Sequence, residues 1–393
     1  MLKSSPAKAR KIIEGVHEFL HQEVWPREQE LLTGDTDETI HLLALLREKI
    51  KAANLWALHL PDMYGGLSLP ARDFARVCEE LGRSPLGHHI FNCQDHVLLT
   101  MAVIMDKGTY EQKERYLRPL VRGEIGCGTG LTDQTLFTPA EELPRWQPGV
   151  NSESLHLSGT QRLVSASSAM DFFTLAAAPA EGGQPGLFIV PADCNGLSLE
   201  PEPLTATTPY SSQVHFCARL DNCELSTGLA LGDDGDALAL LEKHLIPVRI
   251  FSCMRWIGIC ERTLSIATRR IAKRRQPAAG AGANALRDET WLADLRAEIN
   301  AGRLLVLTTA HKIDKEGPEQ ARDDSALCLF HIAGILRRLF DRVNRMFSSQ
   351  DILAEPVLAH WMYCERNAGI YEIPGEFLRQ QVAANLLLRF KIK

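Results

Sequence analysis

Apolar residues recur at helical spacing along the first part of the chain. In His41–Ala53 they fall on one stripe of a helix, formed by Leu42, Leu43, Leu45, Leu46 and Ile50. The same pattern predicts helices over Ala71–Leu81 and Glu111–Leu120, the second with Thr109 as its N-cap. We therefore expect a helical domain over residues 1–125.

The pattern changes near residue 126, where Gly, Pro, Ser and Thr become frequent and short apolar runs alternate with turns. These runs are SESLHLSG, DFFTLAAA, GLFIVPAD, GLSLEPEPL and SQVHFCARL. Parallel strands joined by crossovers need helices between them, and no helical pattern separates these runs. The sequence therefore predicts a compact antiparallel barrel or sandwich over residues 126–235.

Long helical patterns fill residues 236–393. They cover Ala237–Arg275, Ala285–Lys315, residues 319–347, residues 356–367 and residues 375–390. We expect Pro247 to kink or break the first of them, because proline removes a hydrogen bond and clashes with the preceding turn. Long amphipathic helices with short loops predict a four-helix bundle.

Composition narrows the class of protein. The 393 residues are 45% hydrophobic and 23% charged with a net charge of −6, so the chain can bury a core and has no basic excess for nucleic acid. No apolar run is long enough to span a membrane, and we expect no secretory signal. Ten cysteines without a CxxC pair, and no metal-ligand spacing, favour buried, reduced thiols in a cytoplasmic protein without a metal.

Several phrases resemble one family. LWALHLPDMYGGLSLPARDFARVCEELGRSPLG (55–87), GTYEQKERYLRPLVRGEI (108–125), AGRLLVLTTAHKID (301–314) and the segment Ile370–Glu376 occur in the order found in acyl-CoA dehydrogenases. The resemblance covers nearly the whole chain. It implies an α+β multidomain fold with an N-terminal α domain, a middle antiparallel β-barrel and a C-terminal four-helix bundle.

The resemblance also implies a chemistry. The family removes two hydrogens across the α and β carbons of an acyl thioester, with a carboxylate base and FAD as hydride acceptor. Glu372 matches the position of that base, and its backbone N–H would donate to the thioester carbonyl. Ile373 departs from the glycine usual after the base, and an exposed loop glutamate is the structural alternative.

The flavin contacts implied by the resemblance fall on six residues, which are Leu131, Thr132, Asp133, Leu163, Ser165 and Arg275. The hydroxyl at Ser165 is kept, whereas Leu163 replaces an aromatic residue. For Ser165 the alternative is a strand residue at a turn. For Arg275 it is a cation at a helix C-terminus, where the helix dipole favours it.

The sequence also departs from the family at a turn that approaches the flavin. Ser348, Ser349 and Asp351 stand where the family has glycines, and bulky residues and prolines fill the loop 133–144. Two hypotheses therefore remain besides a purely structural scaffold. The chain is an FAD-dependent acyl thioester dehydrogenase, or a divergent homologue with weak or no FAD binding. The second would act in redox-neutral thioester chemistry or as the partner subunit of an active paralogue.

The partners expected from the resemblance are an acyl-CoA or acyl-carrier-protein thioester and an electron-transfer flavoprotein. Family bundles pack against one another, so a homodimer, a homotetramer or a hetero-oligomer with a paralogue is expected.

Overall fold

The computed structural model describes residues 6–34, 36–165, 170–201, 214–232, 235–275, 283–347, 352, 355–365 and 375–389. Helices come first, then strands, then helices again, as the sequence predicted. The first α-helices are α1 Pro6–Phe19, α2 Glu28–Thr33, α3 Thr36–Ala52, α4 Ala71–Gly82, α5 Gly87–Ile90, α6 Asp95–Lys107, α7 Tyr110–Gln112 and α8 Arg118–Arg122.

The helix predicted over Glu111–Leu120 is present, but part of it is wound more widely. A π-helical turn at Lys113–Leu117 joins α7 to α8. Thr109 is the N-cap, as predicted, because its hydroxyl accepts from the N–H of Gln112 at 3.2 Å. The Gln112 side chain accepts in turn from the N–H of Thr109 at 2.8 Å.

The strands form one sheet. They are β1 Cys127–Thr129, β2 Arg145–Pro148, β3 Ser154–Ser165, β4 Phe172–Pro179, β5 Gly186–Pro191, β6 Leu197–Pro201, β7 Val214–Ser226 and β8 Ala230–Leu231, and the short helix α9 Asp133–Phe137 follows β1. The strand order is β6-β7-β3-β1-β4-β5-β8, with β2 beside β3 and β4. The longest pairing joins β3 and β7 antiparallel, from Ser154 opposite Ser226 to Ser165 opposite Val214.

Two pairings correct the prediction of a wholly antiparallel domain. β1 and β2 are each antiparallel to β3 and parallel to β4. Since β3 and β4 run in opposite directions, any strand inserted between them must be parallel to one of them. No crossover helix is needed, because β1 and β4 are not consecutive strands. Closure into a barrel stays a prediction, because the pairings among the described strands do not join β6 to β8.

The last third of the chain is helical. Its helices are α10 Ala237–Arg275, α11 Ala283–Glu316, α12 Arg322–Met346, α13 Pro356–Cys364 and α14 Gly375–Arg389. The break considered at Pro247 is absent, since α10 is continuous through it. Ile246 and Ile250 on either side are fully buried, and this packing offsets the roughly 3 kcal/mol that a proline costs inside a helix.

The chain forms two compact units. Unit 1 comprises residues 1–60, 66–88 and 249–393, and unit 2 comprises residues 61–65 and 89–248. In unit 2 one face of the sheet forms an apolar core around Leu163, Phe173, Phe188 and Phe216. The domain boundaries inferred from the sequence stay a prediction, because the two compact units divide the chain differently.

In unit 1 the helices α4 and α10 cross in backbone contact. A Cβ added to Gly258 would lie 3.0 Å from the Cα of Gly82 and closer still to the carbonyl oxygen of Glu79. A Cβ added to Gly82 would lie 2.8 Å from the Cα of Arg255. Only glycine at both positions allows the two helices to approach so closely.

Ion pairs flank this crossing. Arg303 on α11 donates from its Nε to both carboxylate oxygens of Glu79 at 3.0 Å and also binds Glu261 on α10. Arg296 extends this row of ion pairs, because its guanidinium donates two hydrogen bonds to Glu261 at 2.6 and 3.0 Å. Glu79 and Glu261 are buried, and charges in such a place are tolerated because each has a hydrogen-bonded partner.

The start of α4 is held by α11. Asp314 accepts from the N–H of Ala71 at 2.7 Å and from the N–H of Arg72 at 3.0 Å. These N–H groups have no acceptor within their own helix, and a carboxylate there also interacts favourably with the helix dipole. α4 is therefore fixed at its first turn by α11 and at its last turn by the glycine crossing.

Three further features bear on expectations from the sequence. All ten cysteines lie among the described residues, and none is in a disulfide. Within the described ranges, no group of His, Cys, Asp and Glu side chains is arranged to hold a metal ion. No helix of the part of the chain that the structure describes is both long and apolar enough to cross a membrane.

We predict that Gly258→Ala destabilises the protein by about 3 kcal/mol, the upper end of the range for overpacked cores, because the added methyl group forces α4 away from α10. Gly334→Ala is the matched control. Its added Cβ would meet only the flexible end of Arg338, so alanine's higher helix propensity should leave stability unchanged or raise it by up to about 1 kcal/mol. Urea unfolding measures both, and equal effects would contradict the crossing.

Candidate functional site

The loop after β1 lies beside the end of β3 in unit 2. Gly128 pairs with Ser165, and Thr129 pairs with Val164. The loop residues Leu131 and Thr132 follow directly. Two sets of residues that the sequence assigned to the cofactor, one in this loop and one on β3, are therefore neighbours.

Threonine hydroxyls hold the loop in shape. The N–H of Leu131 donates to the hydroxyl of Thr129 at 3.0 Å, and the N–H of Thr132 donates to the hydroxyl of Thr135 at 3.1 Å. The Thr135 hydroxyl donates to the carbonyl of Gly130 at 2.9 Å. Behind them the hydroxyls of Thr129 and Thr174 lie 2.9 Å apart. Two backbone donors of the loop, the N–H groups of Leu131 and Thr132, thus have hydroxyls as their partners.

The side chain of Leu163 packs behind this loop, since a Cβ added to Gly130 would lie 3.3 Å from the Cδ2 of Leu163. Leu163 is not accessible to solvent there. It is 0% exposed and belongs to the apolar core of the sheet. Val164, the next residue, points to the opposite face and is half-buried. The contact between Leu163 and a cofactor stays a prediction, and the burial of this side chain leaves Val164 as its neighbour on the other face of β3. The alternation of β3 carried this signal, since Leu155 and Leu157 are also buried in the same core.

The other assigned residues are described only in part. Asp133 begins α9, Ser165 ends β3 and Arg275 ends α10, but the structure describes only their backbone. Glu372 lies outside the described residues, as do the positions 348–351. The contacts of these residues therefore stay predictions.

The same face of the sheet carries a buried histidine that the sequence pattern did not reveal. His96 on α6 is 3% exposed, and within the described part of the chain neither of its ring nitrogens has a hydrogen-bond partner. His215 lies close to it, opposite Val164 on β7. The available signal was a lone histidine ahead of an otherwise apolar helix, VLLTMAVIM.

Burial, and to a smaller extent the positive charge that His215 can carry, lower the pKa of His96 to about 3. His96 is therefore neutral at physiological pH and offers one donor and one acceptor. A buried imidazole without partners costs stability unless a ligand or water bonds to it. His96 lies close to His215, which pairs with Val164, and could offer its ring nitrogens to a ligand at this face of the sheet.

Comparison with known proteins identifies the family. The profile of the acyl-CoA dehydrogenase N-terminal domain matches residues 6–124, and that of the C-terminal domain matches residues 238–387. Together they cover more than half of the chain. The chain belongs to the acyl-CoA dehydrogenase family.

A curated relative is acyl-CoA dehydrogenase family member 11 of Gallus gallus. It is 29% identical over 390 residues, which are 94% of this chain and 49% of the relative. The chain spans about half or less of the length of the first curated relatives it matches. The activities of those longer proteins therefore bear on this family member only as proposals.

Solved structures share the fold. Butyryl-CoA dehydrogenase from Megasphaera elsdenii has a TM-score of 0.77 at 19% identity, covering 98% of this chain and 100% of that one. An acyl-CoA dehydrogenase complexed with FAD from Bacillus anthracis has a TM-score of 0.81 at 18% identity, covering 99% and 70%. At such identities the likeness establishes the fold and leaves the chemistry to the site.

The loop of this acyl-CoA dehydrogenase family member fits the edge of a flavin in its donor chemistry. That edge consists of carbonyl oxygens and ring nitrogens, which need N–H and O–H donors. The N–H groups of Leu131 and Thr132 now donate to side-chain hydroxyls rather than to backbone carbonyls. A ligand that takes either N–H group must therefore displace the buried hydroxyl of Thr129 or Thr135.

We predict that His96 makes folding stability depend on pH. Its pKa is about 3 in the folded protein and about 6.5 when unfolded, so the unfolded state binds the proton first as pH falls. Stability is therefore lost below pH 6.5, by about 2 kcal/mol between pH 8 and pH 5. His96→Leu should remove this part of the slope in urea unfolding curves. A slope equal to wild type would contradict the assignment.

Proposed function

We propose that this chain is an FAD-dependent oxidoreductase that removes the α and β hydrogens of an acyl thioester, carried on CoA or on an acyl-carrier protein. The proposal is supported by family membership over both helical domains. It rests above all on one observation of the molecule, the two backbone donors of the loop at Leu131–Thr132 placed against the end of β3.

Glu372 is the proposed base. The α-proton of a thioester is weakly acidic, so its removal needs a carboxylate that is close and poorly solvated. The backbone N–H of Glu372 would donate to the thioester oxygen and so stabilise the charge that grows there. When bound, FAD supplies the acceptor for the β-hydrogen, which leaves as a hydride.

The chain's own residues would hold the flavin from two directions. Leu131 and Thr132 would donate their N–H groups to its polar edge, and Val164 would pack against the ring. Asp133 and Ser165 lie at the same two segments and would add polar contacts. Arg275, at the end of α10, would pair with the diphosphate, which a guanidinium binds well.

An electron-transfer flavoprotein is the proposed electron acceptor. One solved structure of the same fold, with a TM-score of 0.79 at 19% identity, is that of an electron transferring flavoprotein of Acidaminococcus fermentans. The family suggests a homodimer, a homotetramer or a hetero-oligomer with a paralogue, and cysteines that form no disulfide suggest the cytoplasm.

One feature favours the second candidate, a homologue that binds FAD weakly or only within a partner's site. α9 occupies Asp133–Phe137, where the family has a stretch of small residues, and Thr135 within it bonds both Thr132 and Gly130. FAD must break these bonds before it binds, which lowers its affinity. The protein would then perform redox-neutral thioester chemistry or complete the site of a paralogue.

The visible absorption spectrum of the purified protein, before and after incubation with FAD, separates the two candidates. Bound flavin that is bleached anaerobically by one of a series of acyl-CoAs is the expected result for the dehydrogenase. A protein that stays colourless after incubation with FAD contradicts it and leaves the second candidate.

We predict that Glu372→Gln keeps flavin binding and lowers the rate of flavin reduction by an acyl-CoA about 10²–10⁴-fold, the range for loss of a general base. Glu376→Gln is the matched control, because Glu376 is exposed in the first turn of α14 and pairs with Arg379 at 2.7 Å. Stopped-flow spectroscopy measures both. Equal reduction rates in the two variants would assign the base to another residue.

A further inference from the structure

Two cysteines meet at the edge of the sheet in unit 2, far along the chain from any residue assigned to the flavin. Cys194 lies in the turn between β5 and β6, and Cys223 lies on β7. The turn is fixed, since the N–H of Cys194 donates to the carbonyl of Pro191 at 3.2 Å. It also rests on β7, because the N–H of Asp221 donates to the carbonyl of Gly196 at 2.9 Å.

The two side chains lie on the same side of the contact between this turn and β7. The sulfur of Cys194 lies 3.6 Å from the carbonyl oxygen of Glu224, the residue that follows Cys223. Cys194 also packs against the apolar core of the sheet that contains Cys223. A Cβ added to Gly196 would lie 3.5 Å from the sulfur of Cys223. Backbone contacts on both sides therefore hold the two sulfurs next to each other.

The pair has one protected and one accessible member. Cys223 is fully buried within the apolar core of the sheet. Cys194 packs against that core but is partly exposed. A small oxidant can therefore reach Cys194 first, and Cys223 is in place to react with the product.

We propose that Cys194 and Cys223 form a reversible disulfide when a hydroperoxide oxidises this protein. The thiolate of Cys194 attacks a peroxide oxygen and becomes a sulfenic acid, and with hydrogen peroxide the other oxygen leaves as water. The thiol of Cys223 then attacks that sulfur, the S–S bond forms and the sulfenic oxygen leaves as a second water. The two thiols lose two electrons and two protons, and hydrogen peroxide accepts them.

Burial makes this reaction slow at neutral pH. Burial in the sheet, with the neighbouring thiol of Cys223, raises the pKa of Cys194 to about 11. Only the thiolate attacks, so the rate should rise about tenfold for each pH unit between pH 7 and pH 9. The pair would thus stay reduced in an ordinary cytoplasm and respond to a sustained oxidant.

The bond would strengthen an exposed part of the sheet. β6 is an edge strand that pairs only with β7 among the described strands, from Leu197 opposite Leu220 to Pro201 opposite Phe216. Edge strands open readily and can pair with other chains. A link from the turn before β6 to β7 restricts the unfolded chain and holds this edge closed.

The test treats the purified protein with hydrogen peroxide at pH 7, 8 and 9, blocks remaining thiols and maps non-reduced peptides by mass spectrometry. The expected product is a peptide containing Cys194 joined to one containing Cys223, with the loss of two hydrogen atoms in mass. It should form faster at higher pH, and dithiothreitol should reverse it. The oxidised protein should melt several degrees higher than the reduced protein.

Cys194→Ser should abolish the linked peptide and leave the fold intact, because Cys194 is partly exposed. Cys217→Ser is the matched control, since Cys217 is a partly exposed cysteine on the same strand as Cys223 and faces Arg162 and Glu200 across the sheet. The control should form the link as wild type does. Conversion of Cys194 to a sulfinic acid without any link, or a link between other cysteines, would overturn the proposal. None of these readouts requires flavin or an acyl thioester.

Discussion

The contact between α4 and α10 at Gly82 and Gly258 governs the packing of unit 1. Because the two backbones touch, there is no room between the helices for any side chain. The polar residues next to the glycines must therefore lie beside the crossing, where Glu79 meets Arg303 from α11. The glycine contact thus places the buried charges, and each of these charges needs the partner that the crossing supplies.

Local sequence patterns predicted the helices and the order of helical and stranded segments, because amphipathic spacing and turn residues act over a few positions. Pro247 does not break α10, since burial of its neighbours outweighs the local cost, whereas a kink there stays a prediction. The crossing of Gly82 with Gly258 was not predicted. Close approach is a property of two segments far apart in sequence, and neither glycine differs locally from any other.

The candidate site also contains residues that the sequence indicated and residues that only the structure revealed. The loop at Leu131 and Thr132 was proposed through resemblance, and the structure places it beside β3. The burial of Leu163 and the opposite orientation of Val164 follow from strand alternation, which a comparison of motifs alone does not consider. His96 was missed because a histidine at the start of an apolar helix has no distinguishing pattern. Its meaning depends on the absence of partners within the described structure.

The insertion of β1 and β2 between β3 and β4 has a consequence for how the chain acquires its structure. As the polypeptide leaves the ribosome, the first two strands emerge without either of their sheet neighbours. They stay incompletely paired until β3 and β4 have been synthesised, because every pairing they make is with those later strands. Such non-local pairing slows folding. The pairings of β1 and β2 with β4 therefore form only after β4 has been synthesised, and until then one edge of each strand is open to aggregation.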